Sequence, residues 1–263
     1  MRRLMAIMGT VVAALALSVQ PAGAVTNGDP DGVAHDNVGA LILQYQGSPY
    51  YQLGCSGSLL SVCGEHAATV LTAGHCTFGM TYAFPPDTKY AVSFDSDLKV
   101  DSDGFVHPAT QIAVLDWSTN PAFTLKGVNH RDVGVLFLAS APPGLEPVTL
   151  PELGAAEAVV GSDVLSVGYG ATTLDRRWPS PNSNIGFTDV RTSGTTRVDG
   201  ISPNWLTANS PSAACYGDSG GPQFTATVVE ISITISGSGP CMSLTKSQRL
   251  DVQDVLTWLD QQM

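Results

Sequence analysis

The sequence predicts an all-β protein that ends in one α-helix. Three observations carry this. First, 27 Gly and 17 Pro in 263 residues break the chain too often for long helices. Second, short runs rich in β-branched and apolar residues recur between those breaks. Third, convincing helical spacing occurs only near the end, where Val252, Val255, Leu256 and Leu259 fall at i, i+3, i+4 and i+7. Hydrophobic residues make up 43% and charged residues 13%, so the chain can bury a real core and is not of the disordered class. The 12 Lys and Arg against 23 Asp and Glu give a net charge of −11. Without a basic face to displace counterions, nucleic-acid binding is excluded as a function class.

The elements follow in chain order. Arg2 and Arg3 precede a largely apolar run from Leu4 to Val19, and Ala22-Gly23-Ala24 supplies small residues. That run is short of the roughly 20 residues a spanning helix needs. It reads as a signal peptide over residues 1–24, cut after Ala24, rather than as an anchor. The expectation is a secreted, extracellular protein without stable membrane association after cleavage, in a compartment where disulfides persist. Val38–Tyr45, Thr69–Thr72, Tyr90–Phe94, Val133–Leu138 and Asp163–Val167 read as strands. Ile231, Ile233 and Ile235 alternate with Ser232, Thr234 and Ser236, the period of a half-buried strand. Pro142-Pro143-Gly144 divides the chain into halves at 25–143 and 144–263, a crossing between two similar β units. Asp251 is the candidate cap of the final helix. Five cysteines, Cys55, Cys63, Cys76, Cys215 and Cys241, cannot all pair within one chain. They lack zinc spacing, so structural bridges are the better reading.

Three segments carry chemistry. Cys215-Tyr216-Gly217-Asp218-Ser219-Gly220-Gly221-Pro222 holds a Ser among glycines, where the hydroxyl can be presented beside converging backbone N–H groups. A Ser needs a base and an orienting acid to act as a nucleophile. Leu71-Thr72-Ala73-Gly74-His75-Cys76 puts a His at a strand end, and Asn129-His130-Arg131-Asp132-Val133-Gly134-Val135-Leu136 puts an Asp at the opening of an apolar strand. Gly217 to Gly221 also fits the G-x-S-x-G elbow of α/β-hydrolases, whose order is Ser, acid, His. No His follows Ser219, so that reading fails.

Together these segments resemble the trypsin/chymotrypsin-like serine peptidase family, and the likeness runs from Val25-Thr26-Asn27-Gly28 to the final helix. The resemblance implies two packed six-stranded antiparallel Greek-key barrels, one from each half, with the C-terminal α-helix. It implies a serine endopeptidase acting through an acyl-enzyme, with His75 as general base, Asp132 orienting it, Ser219 as nucleophile, and the N–H groups of Gly217 and Ser219 as the oxyanion hole. Protein or peptide substrates, a monomer, and no cofactor or metal are expected. It also implies the bridges Cys55–Cys76 and Cys215–Cys241, each stabilising by on the order of 3 kcal/mol. Cys63 is then left as a free buried thiol. His35, His66, His107 and His130 are expected in surface or packing roles. A calcium site among Asp95, Asp97, Asp101 and Asp103 stays open beside the plainer reading of a solvated acidic loop.

In such a family member Ala213 lies at the base of the primary pocket, with Ala214 beside it and Gly237 on the wall, so an uncharged pocket preferring apolar P1 residues is implied. The segment Ile235-Ser236-Gly237 departs from the family's S-W-G pattern, and either Ile235 or Ser236 stands where a Ser normally braces the triad Asp. Arg176-Arg177, in a segment resembling the exposed autolysis loop, should then survive self-digestion. Val25, freed by signal cleavage with no propeptide between, is expected to insert its amine against Asp218. The competing class is a catalytically silent binding or adhesion module on the same fold. All three triad residues being present favours the enzyme.

Overall fold

The computed structural model describes residues 25–126, 131–174, 185–187, 190–209, 212–237, 241 and 244–263. The first half contributes β1 (Asp29–Pro30), β2 (Val38–Gln44), β3 (Gln52–Ser61), β4 (Ala68–Thr72), α1 (Gly74–Tyr82), β5 (Lys89–Ser93), β6 (Ile112–Thr119) and β7 (Gly134–Leu138). The second contributes β8 (Asp163–Gly168), β9 (Ala171–Leu174), β10 (Ile185–Phe187), β11 (Thr192–Ile201), β12 (Trp205–Asn209), β13 (Pro222–Phe224), β14 (Glu230–Gly237), β15 (Leu244–Arg249) and α2 (Gln253–Asp260). Strands β2-β3-β4-β7-β6-β5 close into one six-stranded barrel. Strands β11-β12-β15-β14-β13-β8 close into a second, because β8 pairs back onto β11 from Thr192↔Gly168 to Arg197↔Asp163. All these pairings are antiparallel. The short β1 adds to the outside of β11, and β9 pairs with β10 apart from both barrels.

Strands of the first barrel that face the second read as unbroken apolar runs because both their faces are covered. Val70, Leu136 and Leu138 point into the first barrel with Leu41, Leu59 and Val92. Their neighbours Leu71, Val135 and Phe137 point out of it, onto Ile233, Leu250 and α2. A second apolar seam joins Val38, Ala40 and Ile42 to Val167, Tyr169 and Phe224. On β11 one face is wet, and the alternation is plain: Thr192, Gly194, Thr196 and Val198 are buried while Thr195, Arg197 and Asp199 are exposed.

Polar groups also cross the seam. Arg191 is about as buried as a side chain can be, at 1% exposure. Its Nε donates to Asp31 Oδ2 at 3.0 Å, and its other nitrogens donate to the carbonyls of Gly32, Val38 and Phe94 and to the Tyr169 hydroxyl. Burial alone would raise the Asp31 carboxyl, but His35 and Arg191 beside it outweigh that and hold it below the usual range.

Three details differ from expectation. Asp251 does not cap α2: its carboxylate accepts from both Nε and NH2 of Arg249 and from the Ala156 N–H, and Val252 takes the cap position. Trp258 joins Val255 and Leu259 in the buried face of that helix, while Leu256 is only half-buried. Cys63 is free but exposed, not buried, because the turn after β3 carries it off the barrel. The bridges Cys55–Cys76 and Cys215–Cys241 are both formed.

Glu230 is fully buried between the barrels. Ser58 Oγ donates to its Oε2 at 2.7 Å, while Oε1 has no partner. Burial pushes its carboxyl up to about 8 against that single hydrogen bond. From the ordinary carboxylate range up to about pH 8 the folded chain therefore holds a proton that the unfolded chain has released. This contribution to stability is full below the unfolded pKa and is lost as pH rises through the folded one. Asp218, pushed up to about 7, acts in the same direction. Glu230→Gln should flatten the decline in unfolding free energy between pH 5 and pH 8, measured by denaturant titration. Equal slopes for the two proteins would refute this assignment.

Candidate active site

His75 reaches the site through a helix that the sequence pattern did not announce. Strand β4 ends at Thr72, Ala73 is the cap residue, and α1 places His75 in its first turn. The segment GHCTFGMTY contains two glycines and β-branched threonines and lacks an apolar stripe, so no periodicity marked it. Its start lies against the residues that lead into β7. A Cβ on Gly74 would come within 2.9 Å of the Val133 nitrogen, and one on Gly134 within 2.4 Å of Thr77 Oγ1. That close approach lets Asp132 meet His75 twice. The His75 backbone N–H donates to Asp132 Oδ1 at 2.7 Å, and Nδ1 lies 2.9 Å from Oδ2. A carboxylate on Nδ1 assigns the proton there and leaves Nε2 as the basic nitrogen. Among the described residues the Asp132 carboxylate accepts hydrogen bonds from His75 alone.

Asp132 is preceded by Arg131 at φ 34°, a left-handed conformation that costs a non-glycine residue of order 1–3 kcal/mol. The Arg131 side chain is held across the seam by Asp254, at 2.5 Å from Nε, and by Asn204.

Ser219 stands in the loop between β12 and β13, which is moulded onto the first barrel. The Ser56 N–H donates to Ser219 O at 2.8 Å, and Ser56 Oγ donates to Gly217 O at 2.8 Å. With those carbonyls turned inward, the N–H groups of Gly217 and Ser219 have no protein acceptor among the described residues. Gly217 has φ 97° and Gly220 φ 82°. A Cβ on Gly220 would sit 2.2 Å from Thr72 Oγ1 and 2.5 Å from Ser56 O, so only glycine lets the loop lie this close. Asp218 is buried behind the loop. Its two oxygens accept from the N–H groups of Gly170 and Cys215 at 2.8 and 2.9 Å. Burial raises its carboxyl to about 7, and those two hydrogen bonds only partly oppose it.

His75 and Ser219 line one cleft of about 360 Å³. Its remaining walls are Ala214, Tyr216, Ile235, Ser236, Gly237 and the Cys215–Cys241 bridge. Among the described residues no acidic side chain lines it. Ala213 is fully buried behind Ala214 rather than on the surface of the cleft. A Cβ on Gly237 would meet Ala214 O at 2.3 Å, which makes that wall position glycine-only. Ile235 sits at an irregularity where the β14–β15 register shifts between Thr234 and Ser236, and it packs against the core of the first barrel and against the apolar cluster between the barrels and α2. Neither Ile235 nor Ser236 donates to Asp132, so the expected brace is absent in both alignments.

The expected pair Val25 and Asp218 is not joined here. With residue 24 attached, the Val25 nitrogen is an uncharged peptide group, and it donates to Thr192 Oγ1 at 2.8 Å. Val25 is nonetheless seated in the second barrel, against Gly194 and Ser212, with the Thr26 N–H on Ala213 O at 3.0 Å.

The acidic loop is spent on its own backbone and neighbours. Asp95 accepts from the N–H and hydroxyl of Thr110, Asp97 pairs with Lys99, and Asp101 accepts from Asp103, Phe105 and His107. Among the described residues the one trio with converging ligand atoms is Cys55, His75 and Cys76, whose sulfurs are already bonded to each other. His35 binds Asp31 and stacks on Phe224, and His66 stacks on Phe137. Residues 1–24, His130 and Arg176-Arg177 lie outside the described residues. Sequence reasoning missed Ser56 and Gln248, which touch the site's main chain from distant strands and belong to no local motif.

A family model described as trypsin matches residues 36–259. The fold is similar to a solved HL collagenase, with a TM-score of 0.67, 16% identity, and coverage of 90% of this chain and 98% of that one. It is also similar to neuropsin, a serine protease expressed in the limbic system of mouse brain, with a TM-score of 0.62, 23% identity, and coverage of 88% and 95%. No curated protein sequence matches closely enough to count as a relative.

Proposed function

The chain belongs to the trypsin family, and from that membership we propose that it is a secreted serine endopeptidase working through Ser219, His75 and Asp132. The observation that carries this reading is the doubly bonded Asp132–His75 pair in a cleft shared with Ser219. In the proposed cycle His75 Nε2 takes the Ser219 Oγ proton as the oxygen attacks the scissile carbonyl. Asp132 keeps the proton of Nδ1 in place and stabilises the imidazolium. The unoccupied N–H groups of Gly217 and Ser219 receive the oxyanion. His75 then protonates the leaving amine, and water releases the acyl group by the same steps in reverse.

The apolar, acid-free lining of the cleft favours uncharged P1 side chains, with Ile235, Ala214 and the Cys215–Cys241 bridge as contact surface. No opposite charge is there to repay the desolvation of a Lys or Arg head group. For activation, we propose that cleavage after Ala24 turns the Val25 nitrogen into an ammonium. In support, Val25 is buried against Gly194 with the Thr26 N–H on Ala213 O, and among the described residues the Asp218 carboxylate meets backbone N–H groups and no cation.

Three outcomes are expected. A fluorophosphonate should label Ser219, and Ser219→Ala should abolish labelling and lower kcat by on the order of a millionfold, with His75→Ala nearly as damaging. A folded wild type that neither labels nor cleaves would instead indicate a silent binding module. On peptide anilides differing only at P1, Leu, Met or Phe should exceed Arg and Lys in kcat/KM by at least roughly tenfold. A preference for Arg would overturn the pocket reading. One residue added before Val25, its retention verified by mass spectrometry, should cripple kcat without unfolding the barrels. Full kcat in that protein would eliminate the inserted amine.

A further inference from the structure

Asp132 leads into a strand of the first barrel, yet its own N–H is held from the second. Its N–H donates to Gln248 Oε1 at 3.1 Å. Gln248 lies on β15 and is fully buried. Its amide is completely used: Nε2 donates to Asn204 O and to Arg249 O, both at 3.0 Å. Because both Nε2 protons face carbonyls, the oxygen can only face Asp132, so the orientation of the amide is determined. Asn204 in turn holds Arg131, the strained residue beside Asp132. The Asp132 carboxylate has no donor other than His75 among the described residues, since Ile235 offers none. Its aim therefore depends on where its main chain is held.

Resting on the triad reading above, we propose that Gln248 is a positioning residue for catalysis. It transmits the placement of the second barrel to Asp132, and through Asp132 to the His75 ring. Such a residue touches neither substrate nor the reacting atoms. Its loss should lower the rate of the chemical step and leave ground-state binding alone, because a small misplacement of a catalytic group is felt mainly in the transition state.

The test compares Gln248→Leu with Gln223→Leu. Gln223 is an equally buried amide of the second barrel, bonded to Ser166 and Ser232 and not to the triad. Active-site titration with a fluorophosphonate normalises each protein to its folded fraction. Gln248→Leu should lower kcat by roughly ten- to a hundredfold with KM nearly unchanged, and should weaken the downfield proton resonance of His75 Nδ1–H. Gln223→Leu should lower the melting temperature while leaving kcat and that resonance as in the wild type. Wild-type kcat and an intact Nδ1–H resonance in folded Gln248→Leu would overturn the proposal, as would equal kcat losses in both variants. If Gln248→Leu does not fold, amide exchange in the wild type decides: the Asp132 N–H should be protected, and exchange at the rate of an exposed loop would overturn the proposal. A wild type without turnover defeats the triad reading instead, and the Nδ1–H resonance then judges Gln248 independently of activity.

Discussion

The site exists only while two barrels stay in register with each other. His75 and Asp132 rise from the first and Ser219 from the second, so the hydrogen bonds across the seam bear on how the three residues meet. The most demanding of these belong to Arg191. A guanidinium buried this deeply is tolerable only because Asp31, the Tyr169 hydroxyl and three carbonyls meet it at once. Those acceptors come from the N-terminal segment, the first barrel and the second. The ion pair thus acts less as a source of stability than as a template that admits one relative placement of the parts. Removing one partner of such a pair costs about 3–5 kcal/mol, since a buried charge is left without compensation.

The loop that carries Ser219 depends on the same registration. It has little apolar content of its own to hold it. It is shaped by Ser56 of the first barrel, which takes its two carbonyls and so leaves its N–H groups toward the cleft. Gly220 permits the contact, and the bridge between Cys215 and Cys241 ties the loop to the opposite wall. Asp218 beneath it is desolvated and, among the described residues, met by backbone N–H groups alone, which makes the loop sensitive to a change of charge nearby.

Much of this was legible in the sequence, for identifiable reasons. Strands such as Gly134–Leu138 are buried on both faces and stand out as continuous apolar runs. The segments around Ser219, His75 and Asp132 announce themselves because the chain approaches itself closely there and allows few alternatives to glycine. What stayed hidden are features without a local pattern. Helix α1 forms because its first turn is wedged against Val133, not because its residues favour helix. Asp251 looked like a cap, but Arg249 and the Ala156 N–H compete for it and win. The question of Ile235 or Ser236 could not be answered from spacing, because a register shift in β14 breaks the regular alternation there and both residues line the cleft.

The placement of α2 bears on how the chain comes to be folded. Val255, Trp258 and Leu259 cover Leu71, Val135 and Phe137, and Thr69 Oγ1 donates to Gln262 O across a separation of 193 residues. The outer face of the first barrel is thus finished by a segment that is synthesised long after it. Until that segment is available, an apolar strip on β4 and β7 stays open to water and to other chains. Contacts this distant in sequence cost loop-closure entropy before they are rewarded, which slows the folding of such topologies. A C-terminal truncation that removed α2 would therefore uncover an apolar strip in the half of the chain to which α2 does not belong.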